Sequence, residues 1–308
     1  MKHAKEKENF LYKLYLSYIP NGRDNLKQII IKVFFLISLI AFIVSAAYIT
    51  NYFLSAKHQD GIIEDARLIW HETDSKTEPE PSVTELMLSE NSDFKGWITV
   101  PNTNIDNPIY QTDNNDFYLN HNQKKQKSVY GALFFDYKNV ITESETDKNL
   151  IIYGHHMKNG SMFANLTKYK QLSFYKQNPT VEFSTLYKKS TYKVYAAFVL
   201  NASKADDDGY IYNISRKSFI ADEDFDSWVE EARERSLIST GVDVKNGDII
   251  ITLVTCTYDF DDARFVVMAR ETREGEDSAV DTSKAVANPK PKYPKRWYDD
   301  RGIDYPFN

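Results

Sequence analysis

A single cysteine, Cys256, stands among 308 residues, which excludes an internal disulfide. The chain has no zinc-type spacing of Cys and His and no glycine-rich phosphate loop. Its net charge of −6 comes without any basic stripe, so the electrostatic footprint of a nucleic-acid binder is missing. No internal repeat is visible. What remains is a chain that is 42% hydrophobic and 14% aromatic, enough to bury a core in one large domain or two, with one thiol that is either inert or used.

The surroundings of that thiol favour use. Cys256 ends an apolar run (Ile249, Ile250, Ile251, Leu253, Val254) that is too short for a membrane span and rich in the β-branched residues of a buried strand. A second strand-like run, Arg264 to Ala269, follows a polar stretch. If the two pair antiparallel, Cys256 closes the first where Arg264 opens the second, with backbones roughly 5 Å apart. A lone Cys in a strand is more often a small buried hydrophobe. A Cys at a strand end beside a fixed cation is a better candidate nucleophile. Arg270 lies six residues further on, about 20 Å along an extended strand, so only Arg264 reaches the Cys256 end. The alternative for Arg264 is a surface ion pair with Asp261 or Asp262.

Val33 to Ile49 is almost unbroken apolar sequence, extended by Tyr52, Phe53 and Leu54, and from Val33 to Leu54 it matches the roughly 20 residues that a helix needs to cross a bilayer. Val44-Ser45-Ala46 resembles a signal-peptide cleavage site, but the run exceeds the usual apolar region of about 7 to 15 residues. Residues 33–54 read as a retained transmembrane anchor after a cytoplasmic segment 1–32. The excess of Lys and Arg before the span places the N-terminus inside and the rest outside. Residues 55–93 read as stalk and linker: a short helical pattern (Ile62, Ile63, Ala66, Ile69, Trp70), a Glu/Pro-rich break at Thr77 to Pro81, and a second short helix from Val83 to Leu88 with Ser82 and Glu85 at capping-box spacing. From residue 94 to 274 the pattern is mainly β, with eight short strands between turn residues, predicting a closed or nearly closed barrel. One amphipathic helix, Asp222 to Arg235, interrupts it. Residues 275–308, with Pro289, Pro291, Pro294 and Pro306, show no periodicity and read as a flexible tail, although Trp297, Tyr298, Tyr305 and Phe307 are available to dock.

A cysteine nucleophile needs an acid–base partner, usually His. Of six histidines, His3 precedes the span, His58 and His71 lie in the stalk and His121 in a polar loop. His155 and His156 remain, directly after a strand and Gly154. Adjacent side chains on an extended backbone point to opposite faces, so at most one of them faces the site. The same geometry argues against a metal held by the pair. Asp259, Asp261 and Asp262 match no calcium loop, so neither metal nor cofactor is expected.

TLVTC at 252–256 followed by ARFVV at 263–267, YGHHM at 153–157 followed by GSMF at 160–163, GWITV at 96–100, NDFYL at 115–119 and the N-terminal anchor together resemble class B sortases, the membrane-anchored cysteine transpeptidases of Gram-positive bacteria. The resemblance runs from about Phe94 to Arg273. It implies an eight-stranded sortase-type barrel and a triad of Cys256, His155 and Arg264. It further implies cleavage of an Asn-Pro-x-Thr-like sorting motif after Thr through a Cys thioester, and transfer to an amino group of a peptidoglycan precursor. The partners would be surface proteins carrying a C-terminal sorting motif. Asn115, Leu119, Tyr210 and Ile211 match positions lining the peptide groove in relatives. Two features depart from the pattern: Val254 stands where many members have Ser, and the Pro-rich tail extends past the usual end. The rival readings are a cysteine endopeptidase, in which water resolves the acyl-enzyme, and an anchored non-catalytic binding module.

Overall fold

The structure is a computed structural model that describes residues 12–74 and 82–307. His3 and the break at Thr77 to Pro81 lie outside the described residues. The chain forms two compact units that meet in sequence at His58 and Gln59.

In the first unit, helix α1 (12–18) precedes the start of a long helix α2 (Leu26–Asp74). The Lys32 ammonium ties them, pairing with Asp24 at 2.7 Å and meeting the Leu16 carbonyl at the C-terminal end of α1. Among the described residues, α2 is the one helix long and apolar enough to cross a membrane. Phe34, Ile40, Phe42 and Tyr48 are all more than half exposed on it, which fits a single-pass anchor.

The last turns of α2 belong to the second unit. The short helical pattern expected in a stalk is the continuation of the same helix, because Gly61 weakens a helix without ending it. Ile62, Ile63, Ala66 and Trp70 are buried there. The Trp70 ring stacks on Trp97 with centroids 5.0 Å apart and planes 5° from parallel. Arg67 donates to the Asp106 carbonyl at 2.8 Å, and His71 lies 2.9 Å from the Asp106 carboxylate. Replacing Trp70 by Ala should cost about 3–5 kcal/mol and lower the melting temperature by on the order of 10 °C, read by near-UV circular dichroism on the detergent-solubilised chain. An unchanged melt would mean that this part of α2 does not support the barrel.

Helix α3 (Val83–Glu90) begins with the expected capping box: the Glu85 amide donates to the Ser82 hydroxyl, and the Ser82 amide donates to the Glu85 carboxylate at 2.7 Å. The strands follow as β1 (Phe94–Thr99), β2 (Asp106–Tyr110), β3 (Leu133–Phe135) after the one-turn α4 (Phe117–Asn120), β4 (Asn149–Tyr153), β5 (Thr180–Thr185) after α5 (Leu172–Gln177), and the long β6 (Lys189–Asn201). Helix α6 (Asp222–Arg235) and the short β7 (Ile238–Ser239) precede β8 (Ile250–Cys256) and β9 (Ala263–Glu271). Eight strands close a barrel in the order β1-β2-β3-β4-β8-β9-β6-β5.

Side chains alternate across each strand. Ile251, Leu253, Phe265 and Val267 face the barrel core, while Ile250, Val266 and Met268 face outward beneath Phe225, Trp228, Val229 and Ala232 of α6. Arg270 lies at the far end of β9 from Cys256, 1% exposed. Its guanidinium donates to Glu276 at 2.6 Å and to Asp243 at 3.1 Å, which makes it a structural cation.

Residues 276–307 carry more structure than their lack of periodicity indicated. β10 (Val286–Ala287) pairs with β7, α7 (Lys295–Asp299) follows, Ala285 and Tyr298 are buried, and Tyr293 and Trp297 pack against the barrel-core cluster. Isolated aromatic anchors and backbone hydrogen bonds make this docking, and neither produces a repeating hydrophobic pattern.

Candidate active site

Three adjacent strands end at one rim of the barrel. β4 runs parallel to β8, with Tyr153 opposite Val254, and β8 pairs antiparallel with β9, with Cys256 directly opposite Arg264. The Gly154 amide continues the β4–β8 ladder by donating to the Val254 carbonyl at 3.1 Å. Carrying the Tyr153–Val254 register two residues past the end of β4 would set His155 beside Cys256. Because Leu150 and Ile152 point into the core, the alternation puts Tyr153 and then His155 on the outer face. Cys256 shares that face, since Leu253 points inward, as does Arg264, since Phe265 points inward. All three side chains are half-buried. Gly154 permits this tight end, because a Cβ there would come within 2.9 Å of the Phe163 ring.

His155 is held by a backbone acceptor. Its Nε2 lies 2.7 Å from the Leu119 carbonyl oxygen. A carbonyl only accepts, so Nε2 carries the hydrogen and Nδ1 is left to exchange a proton. Gly131, at φ +60°, flanks the same ring: a Cβ there would stand 3.1 Å from His155 Cδ2 and also overlap the Tyr118 carbonyl. Gly131→Ala should therefore strain a left-handed turn by about 1–3 kcal/mol and displace His155, lowering activity more than tenfold while the barrel still melts cooperatively. Wild-type turnover in a folded Gly131→Ala protein would show that the ring does not depend on this contact.

His156 takes the other direction. Its Nδ1 donates to the main-chain carbonyl of Cys256 at 2.8 Å, and Tyr258 packs beside its ring at 5.0 Å. Arg264 donates to the Ala263 carbonyl at 3.1 Å and pairs with no carboxylate among the described residues, so its alternative as the partner of Asp261 or Asp262 is not what the structure contains. Asp259 pairs instead with Lys170. No metal-type group of three or more His, Cys, Asp or Glu side chains occurs among the described residues.

The four expected groove residues divide between two segments beside this rim. Leu119 reaches the site through its carbonyl. Asn115, four residues earlier, commits its amide, donating to Asp136 at 3.0 Å and accepting from the Tyr137 amide at 2.9 Å. Tyr210 and Ile211 lie between β6 and α6. The Tyr210 hydroxyl donates to Glu231 at 2.7 Å while its ring stays exposed, and Ile211 packs against the cluster beneath α6.

Asp136 ties these parts together, accepting from Asn115, Lys217 and, at 3.4 Å, the Tyr153 hydroxyl. Burial works to raise its carboxyl, but the hydrogen bonds from Lys217 and Asn115 prevail and hold it below the ordinary range. Burial, together with the Asp136 charge, pushes the Tyr153 phenol up to about 12, so it stays a donor at neutral pH.

Side-chain reasoning from sequence misses the Leu119 carbonyl and the Gly131 contact. The first is main chain, and the second depends on a turn that brings 131 against 155 from a distant part of the chain.

The sortase domain family model matches residues 98–272. Sortase B of Listeria monocytogenes is 33% identical over 219 residues, covering 70% of this chain and 85% of its own length. The crystal structure of Clostridium perfringens sortase B is 36% identical with a TM-score of 0.55, covering 61% of this chain and 99% of that one. The complex of Staphylococcus aureus sortase B with a substrate is 26% identical with a TM-score of 0.62, covering 72% and 100%. The matched region holds every strand of the barrel rim described above, and this chain belongs to the sortase family of transpeptidases, within its class B.

Proposed function

We propose that this chain cleaves an Asn-Pro-x-Thr-like sorting motif after Thr and transfers the protein to an amino group of the cell wall. Cys256 thiolate attacks the Thr carbonyl carbon, forming a C–S bond as the C–N bond breaks. His155 Nδ1 delivers the proton to the departing amine and takes one back from the incoming amine. Attack of that amine on the thioester forms the new amide as the C–S bond breaks and releases the Cys256 thiolate, with His155 protonated again. Arg264 donates to the oxyanion of each tetrahedral intermediate. The observation that carries the reading is Cys256 paired opposite Arg264 at the rim where β4, paired in parallel with β8, ends two residues before His155. The Staphylococcus aureus relative solved with a substrate supports a sorting-motif substrate for this chain. With Arg23, Lys27 and Lys32 before the span, we place the N-terminus inside and the barrel outside the membrane.

The test is turnover of a fluorogenic Asn-Pro-x-Thr peptide library with and without an amine acceptor. An amide product in the presence of amine supports transfer, whereas acid alone across several acceptors favours an endopeptidase. Arg264→Lys keeps the charge but loses the planar fork, and should lower kcat roughly 100-fold with little change in KM. An equal loss in KM with kcat intact would move Arg264 from the oxyanion to ground-state peptide binding.

A further inference from the structure

We propose that the C-terminal segment 276–307 is a strap that positions the two loops flanking the Cys256 rim, 202–211 and 257–262, for peptide binding. The proposal rests on the sortase reading of that rim. The segment lies wholly beyond the family-matched residues 98–272.

Its path is set by contacts at both ends of the barrel. β9 runs away from the rim, and Glu276 is fixed at the far end by Arg270. The chain then returns. The Asn288 amide donates to the Leu237 carbonyl at 2.9 Å, and the Lys292 amide donates to the Glu234 carbonyl at 2.9 Å. α7 therefore arrives back at the rim end.

There it meets both loops. The first amides of a helix have no acceptor within it. Asp207, in the β6–α6 connection, supplies one: its carboxylate accepts from the Arg296 amide at 3.4 Å. On the other side, Tyr293 stacks on Trp297 with centroids 4.2 Å apart, and both pack against the core cluster that contains Phe260 of the β8–β9 loop. Burial would raise the neighbouring Asp259 carboxyl. The Lys170 and Thr257 hydrogen bonds hold it low instead, and the Arg301 charge adds to them. The two loops also touch directly, the Ala202 amide donating to the Asp262 carbonyl at 3.1 Å.

The β6–α6 connection needs such support on one side only. Its later part is fixed from β4, where the Asn149 amide donates to the carbonyls of Ile214 and Arg216 at 2.8 and 2.9 Å. The earlier part, 204–209, has local turns of its own and the Asp207 contact to α7. Tyr210, an expected groove residue, directly follows it. A loop already ordered before peptide arrives does not have to be ordered by it.

The experiment compares the full-length chain in nanodiscs with a variant lacking 295–308 and with Asp207→Ala. Hydrogen exchange should speed up in 204–211 and in 257–262 while the barrel strands stay protected. The KM for the sorting peptide should rise about tenfold, with kcat changed less than about twofold. Equal exchange in both loops, or faster exchange with unchanged KM, overturns the proposal. If the truncation unfolds the barrel, Asp207→Ala decides by the same two readouts, because it leaves the aromatic anchors in place. A full-length chain that turns over no sorting peptide counts against the sortase reading, and the exchange comparison then decides the strap alone.

Discussion

Cys256→Ala should abolish turnover, by roughly 10,000-fold or more, as removal of a nucleophile does where the remaining groups act only through it. The loss should come without unfolding. Cys256 is half-buried at a strand end and outside the packed clusters, so removing its sulfur leaves no sizeable cavity. A melt within about 2 °C of wild type beside absent activity separates chemistry from stability. An iodoacetamide adduct on the wild-type thiol, absent in the variant, would show that the position is reachable. Residual turnover within tenfold of wild type would remove Cys256 from the reaction, whereas a wild-type chain with no turnover and an unlabelled thiol would favour the anchored binding module.

His155→Ala should lower kcat by about 100- to 10,000-fold, the range of general acid–base contributions, while His156→Ala should cost no more than about tenfold. The two neighbours differ in what holds their rings. His155 shares the outer face with Cys256 and Arg264, and its Nε2–H is fixed on the Leu119 carbonyl, which presents a single nitrogen for proton exchange. His156 donates to the Cys256 carbonyl and so steadies the end of β8. Steady-state kinetics on the two variants, with peptide concentration varied, measures the contrast. Equal losses, or a larger loss at 156, would reverse the assignment within the pair.

Much of this site is legible in the chain because strand geometry is simple. An apolar β-branched run ending at Cys256 and a second run opening at Arg264 predict the pair that the structure places directly opposite one another. The same spacing sends Arg270 to the far end, where it is buried among carboxylates. The choice between His155 and His156 is different. Alternation says that the two face opposite ways, but which one faces the thiol depends on the parallel β4–β8 register, a pairing between segments about 100 residues apart. The choice of His155 is what the resemblance to class B sortases implies. The helix from 59 to 74 reads as stalk because its apolar positions are few. Its burial comes from Trp97 and Asp106, which local sequence does not reveal. The tail was illegible for a similar reason, since aromatic residues among prolines have no period to detect until a barrel surface is present to receive them.

The most direct test of the account is the intact mass of the chain quenched in acid shortly after mixing with a sorting peptide. A thioester through Cys256 predicts a mass increase equal to the peptide fragment ending in Thr less one water, mapped by digestion to the segment containing Cys256, discharged by added amine, and absent in Cys256→Ala. Turnover proceeding with no adduct even without an amine acceptor, or an adduct that persists in Cys256→Ala, would contradict it.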